Sequence, residues 1–121
     1  MKYWIDTEFI EDDSTIDLIS LGAVSEDGRE FYMQNQQCHF QRASDWVRRN
    51  VLLDLAEFDL GTWSPKGGLP TNFKKPWGTR AGIASEFRFF THTAPSTEQG
   101  KGEHHALADA RWNKVAWEFL Q

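Results

Sequence analysis

The sequence predicts a mixed α/β domain in which a three-stranded antiparallel meander is packed with helices. Three observations carry that expectation. Strand-like runs crowd the first 35 residues, apolar spacing turns helical beyond Ser44, and 121 residues suffice for one hydrophobic core but not for two. A single domain spanning 1–121 follows, with no internal repeat.

Each element has its own signature. Lys2 to Glu8 is short, aromatic and β-branched, with Tyr3 and Ile5 alternating against Trp4 and Asp6, the two-residue period of a strand. Ile16 to Ser25 and Arg29 to Met33 are the second and third strands. Glu11-Asp12-Asp13-Ser14 is the polar link between the first two, and Asp27-Gly28 marks a hairpin whose turn needs positive φ. Beyond the polar stretch 34–42, Ser44 is placed to cap a short helix through Trp46, Val47 and Val51 that ends near Leu53. Four glycines and three prolines between Gly61 and Gly78 suit neither period and predict a long loop. Thr79 then caps a helix to about Thr91, with Ile83, Phe87 and Phe90 on one buried stripe. Residues 92–103 read as a linker. A last helix from about His105 to Phe119 places Ala108, Trp112, Val115 and Phe119 toward the core.

Composition narrows the function classes. No apolar run approaches the roughly 18 residues of a membrane span, and the start carries acids by position 6 with no leader-like stretch, so a cytoplasmic protein without membrane association is expected. Cys38 stands alone, which excludes an internal disulfide and a thiolate-rich zinc site and fits a reducing compartment. The net charge of −5 argues against a nucleic-acid partner until it is divided: residues 1–60 carry net −8 and residues 61–121 net +3. The acid is concentrated in the first half, where it can serve cations.

Two clusters carry chemistry. Asp6-Thr7-Glu8 sets two carboxylates two apart on a strand, hence on one face, where they repel unless a divalent cation lies between them. Alone, such a pair is more often a solvated strand end. His104-His105-Ala106-Leu107-Ala108-Asp109-Ala110 sets an imidazole five residues before a carboxylate at the start of an apolar helix rich in small residues. Alone, Asp109 reads as an ordinary first-turn acid on the helix dipole.

Together the two clusters resemble the DEDDh 3′-5′ exonucleases of the RNase H-like superfamily. The runs Asp6-Thr7-Glu8-Phe9-Ile10-Glu11-Asp12, Thr15-Ile16-Asp17-Leu18-Ile19-Ser20-Leu21-Gly22, Glu26-Asp27-Gly28-Arg29-Glu30 and Ser44-Asp45-Trp46-Val47-Arg48, with the tail Ala106-Leu107-Ala108-Asp109-Ala110-Arg111, are most similar to the RNase AS exoribonuclease branch. The resemblance covers about 1–55 and 99–121. It implies an RNase H-like fold and two Mg2+ or Mn2+ ions that clamp the terminal phosphodiester of single-stranded RNA, releasing nucleoside monophosphates. It further implies Asp6, Glu8 and Asp109 as catalytic metal ligands, with Asp6 bridging the ions, and His104 as general base. Candidate substrate contacts are Thr7, Phe9, placed for stacking on a terminal base, and Arg48 on the short helix. Arg48 and Arg49 also suit an ordinary solvated helix face. Lys66, Lys74, Lys75 and Arg80, interleaved with Trp63, Phe73 and Trp77, suit a single-stranded polyanion or burial of the aromatics equally well.

The pattern departs from the family at one point. The family's second Asp follows a further strand between the two clusters, and none of Asp54, Glu57, Asp59, Glu86, Glu98 or Glu103 has that context. An internally shortened domain is therefore expected, with the parallel part of the sheet reduced or missing. Such a sheet leaves the Asp6 edge open to a second copy, so a homodimer is expected. The alternative to an active enzyme is an impaired relative that binds metal or nucleic acid, or that associates with a complete homologue.

Overall fold

A computed structural model describes residues 1–12, 14–56, 58, 68–69, 74–92, 110–111 and 114. Its sheet has four strands in the order β1 (Tyr3–Glu11), β2 (Ile16–Ser25), β3 (Glu30–Asn35) and β4 (Trp77–Gly78). The first three pair antiparallel, as the alternation predicts, and β4 runs parallel to β3 through Gln34 opposite Trp77 and Asn35 opposite Gly78. Trp77 and Gly78, assigned to a loop by composition, are thus a correction: Trp77 is buried in the core and draws its two-residue segment into the sheet. The parallel part of the described sheet is these two residues. An α/β architecture stands, with α1 (Asp45–Asn50) and α2 (Arg80–His92) as helices among the described residues.

Turn chemistry sets the strand register. Asp12 Oδ1 accepts from the backbone N–H groups of Ser14 and Thr15 at 2.9 and 2.8 Å, closing the β1–β2 link as an Asx turn. The second link spans Glu26-Asp27-Gly28, with Gly28 at φ +93° and the Ser25 N–H donating to the Arg29 carbonyl at 2.9 Å. It is a three-residue hairpin loop whose last position excludes most side chains. A bulge lies between the β1 residues Glu8 and Phe9, where β2 has one residue more than its partner.

Both helix caps predicted from sequence are formed. Ser44 Oγ accepts from the Val47 N–H at 3.2 Å and opens α1, while Thr79 Oγ1 accepts from the Gly82 N–H at 3.0 Å and opens α2. α1 ends at Asn50, sooner than its apolar spacing suggests, and a 3-10 turn at Leu52–Asp54 follows. α2 continues through His92, which was expected to start the linker. The Tyr3 hydroxyl donates to the Thr91 carbonyl at 2.9 Å and Arg29 Nη1 to the Phe90 carbonyl at 2.9 Å, satisfying the orphan acceptors at its end. Residues 61–67, 70–73 and 93–103 of the expected loop and linker lie outside the described residues.

The sheet is covered on both faces. Ile83 and Phe90 of α2 are buried against Ala23, Phe31 and Met33, with Phe87, Tyr3 and Leu21 alongside. The other face is covered at one end by Ile10, Ile19, Phe40, Val51, Leu52, Leu55 and Trp77. At the other end of that face Ala110 packs with Val24 and Tyr32. Ala110, Arg111 and Lys114 have helical backbone. The contact they make is not on the expected stripe, whose residues Ala108, Trp112, Val115 and Phe119 lie outside the described set. Arg111 Nε donates to Glu30 at 2.6 Å and the Lys114 ammonium lies 5.6 Å from the Trp4 ring centroid, so an ion pair, a cation–π contact and a small alanine orient this segment. No helix among the described residues is long and apolar enough to cross a membrane.

Candidate acidic site on the β1 face

Residues opposite one another across antiparallel strands project to the same side. Asp6 faces Gly22, which faces Tyr32; Glu8 faces Ser20, which faces Gln34; and Trp4 faces Val24, which faces Glu30. Asp6 and Glu8 therefore share a face, as their spacing predicts, and each lies beside a residue with little or no side chain. Both are half-buried. This is the face on which Ala110, Arg111 and Lys114 pack, since their partners Val24, Tyr32, Glu30 and Trp4 occupy the same rows. α2 is on the opposite face. Ala110, the residue that follows Asp109 in the sequence, is thus in contact with the Tyr32 row that also holds Asp6.

The β3 side of this face carries a polar pair that no motif marks in the sequence. The Tyr32 hydroxyl donates to Gln34 Oε1 at 2.8 Å, and Gln34, fully buried, grips Ala56 from both sides: its Nε2 donates to the Ala56 carbonyl at 3.0 Å and its Oε1 accepts the Ala56 N–H at 2.8 Å. Burial pushes the Tyr32 phenol well above its usual range, and the Glu8 charge adds to the shift. Tyr32 therefore remains a neutral donor at physiological pH. The available signal was the two-residue period of β3, which aligns positions 32 and 34 with 6 and 8.

The remaining site residues divide into described and undescribed. Thr7 and Phe9 point from β1 to the α2 side, opposite Asp6 and Glu8 up to the bulge, and Phe9 is 41% exposed. Arg48 is exposed on α1, its guanidinium donating to the Gln41 carbonyl at 3.1 Å. Asp109 and His104 lie outside the described residues, and among the described residues no group of three His, Cys, Asp or Glu could hold a metal ion. What the face offers is a pair of hard carboxylate donors beside small residues, a donor set suited to Mg2+ or Mn2+.

A separate polar cluster ties the sheet to α2. Buried Asp17 accepts from the His39 N–H at 2.7 Å, from His39 Nδ1 at 3.1 Å and from Arg80 Nη2 at 2.9 Å. Burial alone would raise its pKa, but the bonds from His39 and Arg80 outweigh it and hold the carboxyl below the usual range. Cys38, next to it, is fully buried, and its thiol is pushed far up by that burial and by the Asp17 charge. It is no nucleophile.

No family model matches the chain. It is similar to two proteins of Mycobacterium tuberculosis, from strains CDC 1551 / Oshkosh and ATCC 25618 / H37Rv, each named a 3′-5′ exoribonuclease. Each is 56% identical over 52 residues, 43% of this chain and 31% of the relative. The chain thus aligns with about a third of the length of these curated relatives.

Proposed function

We propose that this chain is a metal-dependent 3′-5′ exoribonuclease of the DEDDh type, on an RNase H-like fold, that removes nucleoside monophosphates from the 3′ end of single-stranded RNA. The carrying observation is that Asp6 and Glu8 share the sheet face on which Ala110, next in sequence to Asp109, is packed. The 56% identity to proteins named 3′-5′ exoribonuclease supports the same reading.

Asp6 and Glu8 would hold the divalent cations, joined by Asp109, and Asp6 would serve both ions. When bound, the ions supply Lewis-acid stabilisation of the attacking and leaving oxygens of the phosphodiester. The protein's own part is positional and acid–base. The antiparallel register keeps both carboxylates on one side of β1, opposite the small residues Gly22 and Ser20. Tyr32, bonded to Gln34, places a hydroxyl in the Asp6 row without adding charge there. His104 would accept the proton of the attacking water, a role suited to an imidazole titrating near neutral pH. Arg48 is a proposed substrate contact; Thr7 and Phe9, whose side chains point to the α2 side, would meet substrate only along the β1 edge of the described sheet. A homodimer would cover the β1 edge of the described sheet, and a cytoplasmic setting suits RNA turnover.

The test is incubation of a 3′-labelled single-stranded RNA with Mg2+ or Mn2+, beside Asp6→Ala. Release of labelled monophosphate by the wild type and not by the variant is expected; equal inertness across a range of protein concentrations defeats the proposal. The second reading, an impaired relative that needs a complete homologue, is favoured by the lack of a second-Asp match between positions 54 and 103. A rate that appears only when a full-length exoribonuclease of this type is added would select it.

A further inference from the structure

We infer that α1 and its flanks form a binding track for single-stranded RNA, holding the nucleotides that precede the 3′-terminal one. This deepens the exoribonuclease reading, because it concerns the same substrate beside the same sheet face.

The observation is an exposed tryptophan. Trp46 is 65% exposed on a six-residue helix that turns only Val47 toward the core. Nothing in the formation of this helix requires an aromatic there: the cap comes from Ser44, and tryptophan is a middling helix former. Leaving such a surface in water forfeits the burial that large aromatics ordinarily gain. Arginines adjoin it in the sequence. Arg48 and Arg49 are exposed, as is Arg42, whose guanidinium is ion-paired with Asp12, and the three are among the five basic residues in the first sixty positions, a stretch otherwise crowded with acid. Arg49 stands three residues after Trp46, on the adjoining helix surface. Arg49 Nε donates to the Asp45 carbonyl at 3.3 Å and Arg48 Nη2 to the Gln41 carbonyl at 3.1 Å, so both heads are held over the helix without a carboxylate in those bonds. Basic residues in a last helical turn suit the helix dipole. That accounts for Arg48 and Arg49 and leaves the tryptophan unexplained.

Position supplies the rest. Val47 packs on the core that contains Ile10, and Ile10 follows Glu8 by two residues on the same side of β1, a rise of about 7 Å. Gln34, in the Glu8 row, holds Ala56 just beyond the 3-10 turn. α1 therefore flanks the acidic face. An exposed indole among guanidiniums has the composition that takes an unpaired base by stacking and its phosphates by charge, without sequence preference.

Binding is measured in EDTA, where no hydrolysis occurs, by fluorescence anisotropy of a 5′-labelled single-stranded RNA of about ten nucleotides, within the range one such groove occupies. Trp46→Ala should weaken binding about ten-fold, as expected for the loss of one stacked base, and Trp46→Phe should restore most of it. Arg49→Ala should flatten the slope of log affinity against log salt by about 0.7. Arg88→Ala, on exposed α2 at the opposite face, should bind as wild type. Wild-type binding by both Trp46→Ala and Arg49→Ala, or no RNA binding by the wild type, overturns the track. Hydrolysis with Mg2+ is read separately: α1-dependent binding without monophosphate release upholds the track and defeats only the exonuclease reading.

Discussion

The two faces of the sheet are built to opposite rules. Against α2, Ala23, Phe31, Met33, Ile83 and Phe90 make an apolar contact, with Phe31 and Phe87 edge-on at 5.4 Å between ring centroids. On the other face the same strands present Asp6, Glu8, Tyr32, Gln34 and Glu30 in register. Strand alternation lets one sheet do both, since each substitution in β1 to β3 belongs to one face. The α2 face should therefore govern stability and the stretch of the other face around Asp6 and Glu8, away from its apolar end, activity, and variants can be chosen to break that division.

The largest expected effect is on the acidic face. Asp6→Ala should lower metal-dependent RNA hydrolysis about a thousand-fold, the several kcal/mol that a catalytic ion contributes. Its thermal stability should stay within about 1 kcal/mol of wild type, because the side chain is half-exposed and leaves a like-charged neighbour. Rate and melting temperature measured on the same preparation check both halves. A large loss of stability would mean that Asp6 is structural.

The converse variant is Phe90→Ala on α2. Phe90 is buried among Tyr3, Phe31 and Phe87 and lies 5.0 Å beneath the Arg29 guanidinium. Truncation should cost about 3–5 kcal/mol by denaturant unfolding. Gln34→Ala tests the boundary between the faces. It strips both bonds from Ala56 and the acceptor from Tyr32, and about 1–3 kcal/mol should be lost, with a fall in activity at temperatures where the fold persists. Wild-type activity and stability together would remove the Tyr32–Gln34 row from the site.

What the sequence made legible follows from how local each signal is. The meander, the Asp27-Gly28 turn, the Ser44 and Thr79 caps and the Ile83/Phe87/Phe90 stripe depend on neighbours within a turn or a strand, and all are formed. Asp6 and Glu8 on one side of β1 needed only alternation. Less legible was whatever depends on distant partners. Trp77 joins the sheet because it is buried between Phe40 and the β3 edge, information absent from its Gly- and Pro-rich surroundings. Arg111 and Lys114 meet the sheet through Glu30 and Trp4, more than eighty positions away, so an apolar stripe could not reveal them. Gln34 reads as an ordinary polar strand residue until Ala56 is seen against it.

The Asp17 cluster supplies the smallest effect, and its sign is fixed. Because the native carboxyl titrates below its unfolded value, its bonds to His39 and Arg80 contribute stability fully at pH above the ordinary aspartate range, and the contribution fades as pH falls through the depressed native value. Asp17→Asn removes the charge at every pH while keeping the shape. The variant should be less stable than wild type at neutral pH by about 1–2 kcal/mol, the scale of a hydrogen bond to a charged group, and the gap should close in acid. Urea unfolding of both proteins at neutral pH and near pH 3 measures it. A gap independent of pH would assign the role of Asp17 to packing. Since Arg80 opens α2 and His39 follows β3, a gap that closes in acid would show that charge, rather than apolar area, fastens the start of the α2 face to the sheet.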